Sequence, residues 1–299
     1  MSPVTTAAPA AAQLDVVSAR YPLRWVGIAV VGVLAAMLAH ALVTNKHFRW
    51  GIVWQYLFDP SVLRGLVITL ELTFAAMVLG VFLGLVLAIM RLSPSALLAN
   101  TARTYIWMFR GTPVLVQLLF WFFLASLYPR LSIGIPFGPE FASAPTNLII
   151  TQFTAAILGF GLNEAAYMAE IARAGLLSIH KGQTEACGAL GMTRRQTLRF
   201  VVLPQAMRVI IPPTGNELIS MFKTTSVAIV IAVPELLTSV QLIYSENYQQ
   251  IPLLIVAVFW YLLLTTIATV AQARLERRYS HGHGATRGSF VHRRLRRRP

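Results

Sequence analysis

Apolar residues in this chain are gathered into six blocks, at 25–43, 66–90, 105–128, 147–177, 209–233 and 252–273. Each is close to or longer than the roughly 20 residues a helix needs to cross a bilayer. Hydrocarbon offers the backbone no water to bond to, so a chain that enters it must satisfy its own amides, which a helix does residue by residue. The blocks therefore restrict the chain to an all-α integral membrane protein of about six helices. Only 12% of the residues are charged, about half the share usual for a soluble domain.

The formal net charge is +14, which in a soluble protein would point to nucleic acid. Its distribution gives another reason. Twenty of the 25 Lys and Arg residues fall at block ends on one side, among them Arg20, Arg24, Arg91, Arg103, Arg110 and the Arg run after residue 274. Four fall on the other side (Lys46, Arg49, Arg64 and Arg130), whose last loop carries Glu235 and Glu246 instead. Lys223 lies within a block. By the positive-inside rule both termini are cytosolic, and no nucleic acid partner is expected.

Residues 1–24 are Ala-, Pro- and Thr-rich without periodicity and are expected to form a disordered cytosolic tail. The block at 25–43 offers a small-x-small pattern at Ala39-His40-Ala41, as a signal peptide would. It exceeds the usual apolar region of about 7–15 residues, so a retained helix is expected. Residues 275–299 form a basic tail suited to anionic lipid headgroups or to a plain stop-transfer anchor. His281, His283 and His292 there are read as tail residues rather than metal ligands. The lone Cys187 excludes an internal disulfide framework. Gly80 and Gly84 have the spacing that lets a second helix approach closely.

The longest cytosolic connection reads HKGQTEACGALGMTRRQTLRFVVLP over residues 180–204. A first short helix is predicted over 184–190, ended by Gly191 in the left-handed conformation. Thr193 to Gln196 has capping-box spacing and starts a second, which Pro204 is expected to interrupt. Such a folded element is either a docking surface or a hairpin lying on lipid.

Within it, Glu185-Ala186-Cys187, Gly191, Val201, Leu203 and Pro204 resemble the EAA motif of ABC importer permeases, Cys187 standing where the family has Ala. Arg110-Gly111-Thr112-Pro113-Val114-Leu115-Val116-Gln117 resembles a signature of the polar amino acid branch, the histidine, glutamine and arginine permeases. So do Ala166-Tyr167-Met168-Ala169-Glu170 with Arg173, Gly182-Gln183, and Asn216 followed by Lys223-Thr224-Thr225-Ser226. The resemblance covers 66–274 and implies a five-helix permease domain, with the helix at 25–43 as an addition. It further implies a multi-pass protein of the bacterial plasma (inner) membrane that forms the path for a polar amino acid or related amine. Its partners would be a second permease subunit, identical or homologous, a cytosolic ABC ATPase dimer and an extracytoplasmic solute-binding protein. Residues 181–204, with Gly182, Glu185, Ala186, Gly191, Leu203 and Pro204, would couple it to the ATPase. ATP and Mg would be bound by that partner. This chain has no G-x-x-x-x-G-K-[ST] segment and is expected to hold no cofactor.

Charged groups at mid-span cost about 2.5–3.5 kcal/mol each on insertion scales, so they need a cavity or a partner. On the fifth block Asn216, Ser220 and Lys223 share a helical face, flanked by Glu217 and Thr224. Pro212, Pro213 and Gly215 beside them point to an interrupted helix lining a water-accessible path. Asn216 and Lys223 either contact substrate or join a helix–helix polar network. Glu71, Gln117, Glu164 and Glu217 are the further path candidates, and Glu170 is expected to pair with Arg173. Two other classes stand beside this one: a secondary transporter or channel working without an ATPase, and an intramembrane enzyme. The second has little support, with no HExxH segment, no convergent His or Cys set and no nucleophile–base pair among the blocks.

Overall fold

The computed structural model describes residues 23–135 and 138–280. The expected disordered segment up to residue 22, and the basic tail from residue 281 with its three histidines, lie outside the described residues. The described residues form two compact units, divided between Arg49 and Trp50. In the first, helix α1 (Leu23–Thr44) is followed by a 3₁₀ turn (Lys46–Phe48) capped by Asn45, whose side chain accepts from the His47 amide at 3.0 Å.

The second unit opens with α2 (Trp50–Leu57) and α3 (Pro60–Arg91). Asp59 caps α3 by accepting from the Ser61 amide at 2.8 Å, and Pro60 fills the first helical position, where a missing N–H costs nothing. Then come α4 (Ala96–Gly111), α5 (Val114–Phe122) and α6 (Leu124–Leu127), the gap between α4 and α5 falling at Thr112-Pro113. An antiparallel hairpin, β1 (Arg130–Gly134) and β2 (Glu140–Pro145), leads through α7 (Thr146–Ile149) into α8 (Gln152–Leu177). After α9 (Lys181–Ala189) and α10 (Arg194–Gln196), a π-helical segment (Thr197–Val202) runs into α11 (Leu203–Thr224). A 3₁₀ segment (Thr225–Ile231), α12 (Leu236–Asn247) and α13 (Gln250–Ser280) complete it.

Among the described residues, three helices are individually long and apolar enough to cross a membrane: 25–44, 60–91 and 250–278. Residues 194–231 with 236–247, bent by 48°, pass the same test as a pair and make a fourth if they form one span. The remaining two expected spans are the ones that carry breaks and charges. One is divided at Thr112-Pro113, and α8 holds Glu164, Glu170 and Arg173. Irregular backbone and ionised groups at membrane depth are tolerated where they face protein or a water-filled cavity.

Helix α8 runs through the core. Its Phe160 is fully buried, in one cluster with Leu72 of α3, Leu118 of α5, Met221 of α11 and Ile231. Gly80 and Gly84 of α3 admit α8 at close range, as the spacing predicts. A β-carbon on Gly84 would lie 2.5 Å from Met168 Cβ.

Two expectations are corrected. Pro204 does not interrupt its helix: the chain is helical from Arg194 to Thr224. In a regular α-helix the proline ring would meet the carbonyl of Phe200. Here that carbonyl belongs to the widened π turn, in which the Leu203 amide bonds to Leu198 O, and the helix continues. Glu235 does not sit in a solvated outer loop. It is fully buried at the start of α12, where it accepts from Tyr261 Oη at 2.7 Å and from the Thr238 amide at 2.9 Å.

Candidate functional site

The gap between α4 and α5 opens onto a cavity of about 520 Å³, walled on its other sides by α8 and α11. The size suits a small ligand. Its polar lining comes from three elements: Arg110 and Thr112 at the gap, Asn163, Glu164 and Tyr167 on α8, and Glu217, Ser220 and Thr224 on α11. Glu164 lies near the middle of α8, about 18 Å from its start and about 20 Å from its end.

The gap is held open by side chains that bond its backbone. Gln117 Nε2 donates to Phe109 O at 2.9 Å, to Thr112 O at 3.1 Å and to Thr112 Oγ1 at 2.8 Å. Asn163 Nδ2 also donates to Phe109 O at 2.9 Å. Carbonyls freed where α4 ends are thereby satisfied, as a broken helix in the membrane requires. Arg110 lies over the ring of Tyr167, 5.1 Å from its centroid. The first turn of α5 carries no side-chain cap; the Val116 and Gln117 amides bond to Pro113 O at 3.0 and 3.2 Å, and Pro113 and Val114 line the cavity.

Glu164 is 4% exposed, and its Oε1 has no hydrogen-bond partner among the described residues. Room for it comes from Gly80, whose added β-carbon would lie 2.6 Å from Glu164 Cγ. Glu217 stands across the cavity, close enough to interact electrostatically with both Glu164 and Arg110.

The path candidates divide accordingly. Glu164 and Glu217 share the cavity, and Gln117 shapes its wall without lining it. Glu71 is exposed on α3, away from the cavity. Asn216 accepts from Gln272 of α13 at 2.9 Å, and Lys223 lies at a separate cavity of about 240 Å³ beside Tyr261 and Thr265 of α13. A helical wheel fixes which residues share a face but not where that face points: the cavity takes Ser220 with the flanking Glu217 and Thr224, and Asn216 and Lys223 lie on the side of α11 towards α13. Arg110 and Tyr167 enter the sequence reading within family signatures, not as path residues, and Asn163 does not enter it. The charge count assigns Arg110 to a loop, although its place beside Gly111-Thr112-Pro113 is a signal for a helix break.

Residues 180–204 fold as a compact unit. His180 caps α9 by accepting from the Gly182 amide at 3.2 Å, and Cys187 is buried. Glu185 and Ala186 are exposed. Gly191 has φ +72°, the left-handed conformation expected of it. Thr193 and Gln196 form the predicted capping box. Leu190, Leu198, Phe200 and Leu203 leave apolar side chains exposed on the same element. Glu170 and Arg173 pair at 2.6 Å, as predicted.

Residues 76–281, more than half the chain, match the family described as binding-protein-dependent transport system inner membrane component. The chain belongs to this family. The permease is 44% identical over 272 residues to the arginine transport system permease protein ArgU of Corynebacterium glutamicum, covering 89% of this chain and 83% of that one. It is 34% identical over 231 residues to the glutamine transport system permease protein GlnP of Escherichia coli, covering 77% and 97%. Among solved structures it is similar to a crystal structure of an amino acid ABC transporter with histidines. There the identity is 35% and the TM-score 0.62, over 74% of this chain and 95% of that one.

Proposed function

We propose that the permease forms the transmembrane path of an ATP-driven importer for a polar amino acid, and that the cavity beside Arg110, Glu164 and Glu217 is where the substrate is held in transit. The relatives support the substrate class, being named for arginine, glutamine and an amino acid transporter with histidines. One observation carries the mechanism. Both charged walls of the cavity lead into the element at 181–204: α8, bearing Glu164, ends at Leu177, three residues before α9, and the helix bearing Glu217 begins inside the element at Arg194. From Arg194 to Glu217 is roughly 35 Å of continuous helix.

A partner that grips this element therefore moves both walls together. The partner is a cytosolic ABC ATPase dimer, which binds ATP and Mg; this chain supplies the lever and the passage, not the hydrolysis. Glu185, Ala186 and the exposed Leu190, Phe200 and Leu203 face the ATPase, while Gly182, Gly191 and Pro204 set the shape of the element. A second permease subunit completes the membrane unit, and an extracytoplasmic solute-binding protein delivers the substrate. Both termini are cytosolic, and the complex resides in the bacterial plasma membrane.

Discontinuous helices whose ends meet near mid-membrane are a recurrent way to build a transport site, since the helix N-terminus attracts an anionic group of the substrate. The gap before α5 has this form. The test is co-purification in detergent followed by an ATPase assay with loaded binding protein. Stimulated hydrolysis that is lost with Glu185→Lys is expected. A complex without an ATPase, or one indifferent to loaded binding protein, would refute the assignment.

A further inference from the structure

Two charged side chains within the apolar blocks, Glu71 and Lys223, are exposed on the surface of the permease, and neither has an ion-pair or hydrogen-bond partner among the described residues. From this we infer that two copies of this chain pair in the membrane, Glu71 of each copy meeting the partner's Lys223. The inference rests on the permease reading and names that reading's second subunit. Glu71 falls on the exposed stripe of α3 with Val67, Phe74 and Val78. Lys223 lines the cavity of about 240 Å³ between α11 and α13, beside the exposed Val258 and Leu262.

A charge turned to hydrocarbon is costly, so charged groups within a membrane face protein or water. The other charges of the blocks are already engaged. Glu164 is buried, Glu217 lines the larger cavity, Glu235 is bonded to Tyr261 and Thr238, and Arg110 lies over Tyr167. Helix α1 carries no Asp, Glu, Lys or Arg from Trp25 to Thr44 and cannot neutralise either charge. The cavity beside Lys223 holds no counter-charge of its own. Tyr261 spends its hydroxyl on Glu235, and Ser226 and Thr265 donate to carbonyls of their own helices.

The depths of the two charges agree. Thr69 of α3 and Tyr261 of α13 both reach the Glu235 carboxylate, at 3.4 and 2.7 Å. Glu71 is two residues, about 3 Å of helix, beyond Thr69, and Lys223 lies beside Tyr261. A two-fold axis along the membrane normal preserves the depth of every residue and makes each contact twice. One acid and one base at a common depth therefore complement a second copy of the same chain, and two ion pairs form.

Two differently tagged copies are co-expressed in the complete transporter, one with Glu71→Cys and the other with Lys223→Cys, and membranes are treated with a short thiol-specific bifunctional reagent. A covalent dimer carrying both tags is expected, held by the second, unaltered pair. Wild-type copies, whose Cys187 is buried, should not be linked. In a second experiment Glu71→Lys or Lys223→Glu, present in both copies, should lower ATP-dependent uptake of labelled L-arginine on the order of tenfold. The double variant Glu71→Lys with Lys223→Glu should recover most of it, which a loss of packing alone would not allow. Copies that co-purify without a link, copies that do not co-purify, or reversal without rescue would overturn the inference. If wild type takes up amino acid with ATP in that event, only the pairing fails; without such uptake the permease reading fails with it.

Discussion

Gly80 on α3 stands directly against Glu164 on α8, so close that a β-carbon at position 80 would lie 2.6 Å from Glu164 Cγ and 2.7 Å from its Cβ. The glycine thus fixes both how near the two helices lie and where the buried carboxylate can point.

Gly80→Ala should force the two helices apart or turn Glu164 away from the cavity. Overpacking of this kind costs about 1–3 kcal/mol. A lower melting temperature in detergent and strongly reduced uptake are expected. Gly111→Ala is the control, because its added carbon meets no atom within 4 Å. That variant should melt as wild type does.

Gln117 bonds three acceptors around the gap between α4 and α5. Gln117→Leu keeps the approximate volume but leaves the Phe109 and Thr112 carbonyls less satisfied, at a cost of about 1–3 kcal/mol. The expected result is a destabilised permease whose uptake falls although no cavity-lining side chain has changed. Thermal melts and uptake on the same preparation check it.

Glu235 and Tyr261 tie α12 to α13 through a bond of 2.7 Å, and Thr69 of α3 approaches the same carboxylate at 3.4 Å while accepting from the Leu236 amide at 3.1 Å. Tyr261→Phe and Glu235→Ala should each destabilise by about 1–3 kcal/mol. Since they break one shared bond, the double variant should lose clearly less than the two together. Strict additivity in a double-mutant cycle of unfolding would show that the pair does not act as a unit.

The sequence made the membrane class, the Gly80 and Gly84 approach, the capping box at Thr193 and the left-handed Gly191 legible, because each follows from local chemistry with one outcome. The orientation of α11 was not: periodicity groups Asn216 with Lys223, and only packing against α13 shows that this side is turned from the cavity. Glu235 reads as a loop residue because its partners Thr69 and Tyr261 are 166 and 26 positions away. Pro204 reads as a helix end because a π turn upstream leaves no mark in the sequence. Glu164 was a candidate on charge alone; its company with Arg110 and Glu217 needed three helices to be assembled.

The most direct test of the lever at 181–204 is accumulation of labelled L-arginine against a gradient in proteoliposomes holding the permease, its ATPase and loaded binding protein. Wild type should accumulate it only with ATP and the ATPase present. Glu185→Ala with Gly191→Val, the latter forcing a branched side chain onto φ +72°, should abolish accumulation while the permease remains in the membrane. Accumulation at the wild-type rate by that variant, or by the permease without any ATPase, would contradict the account.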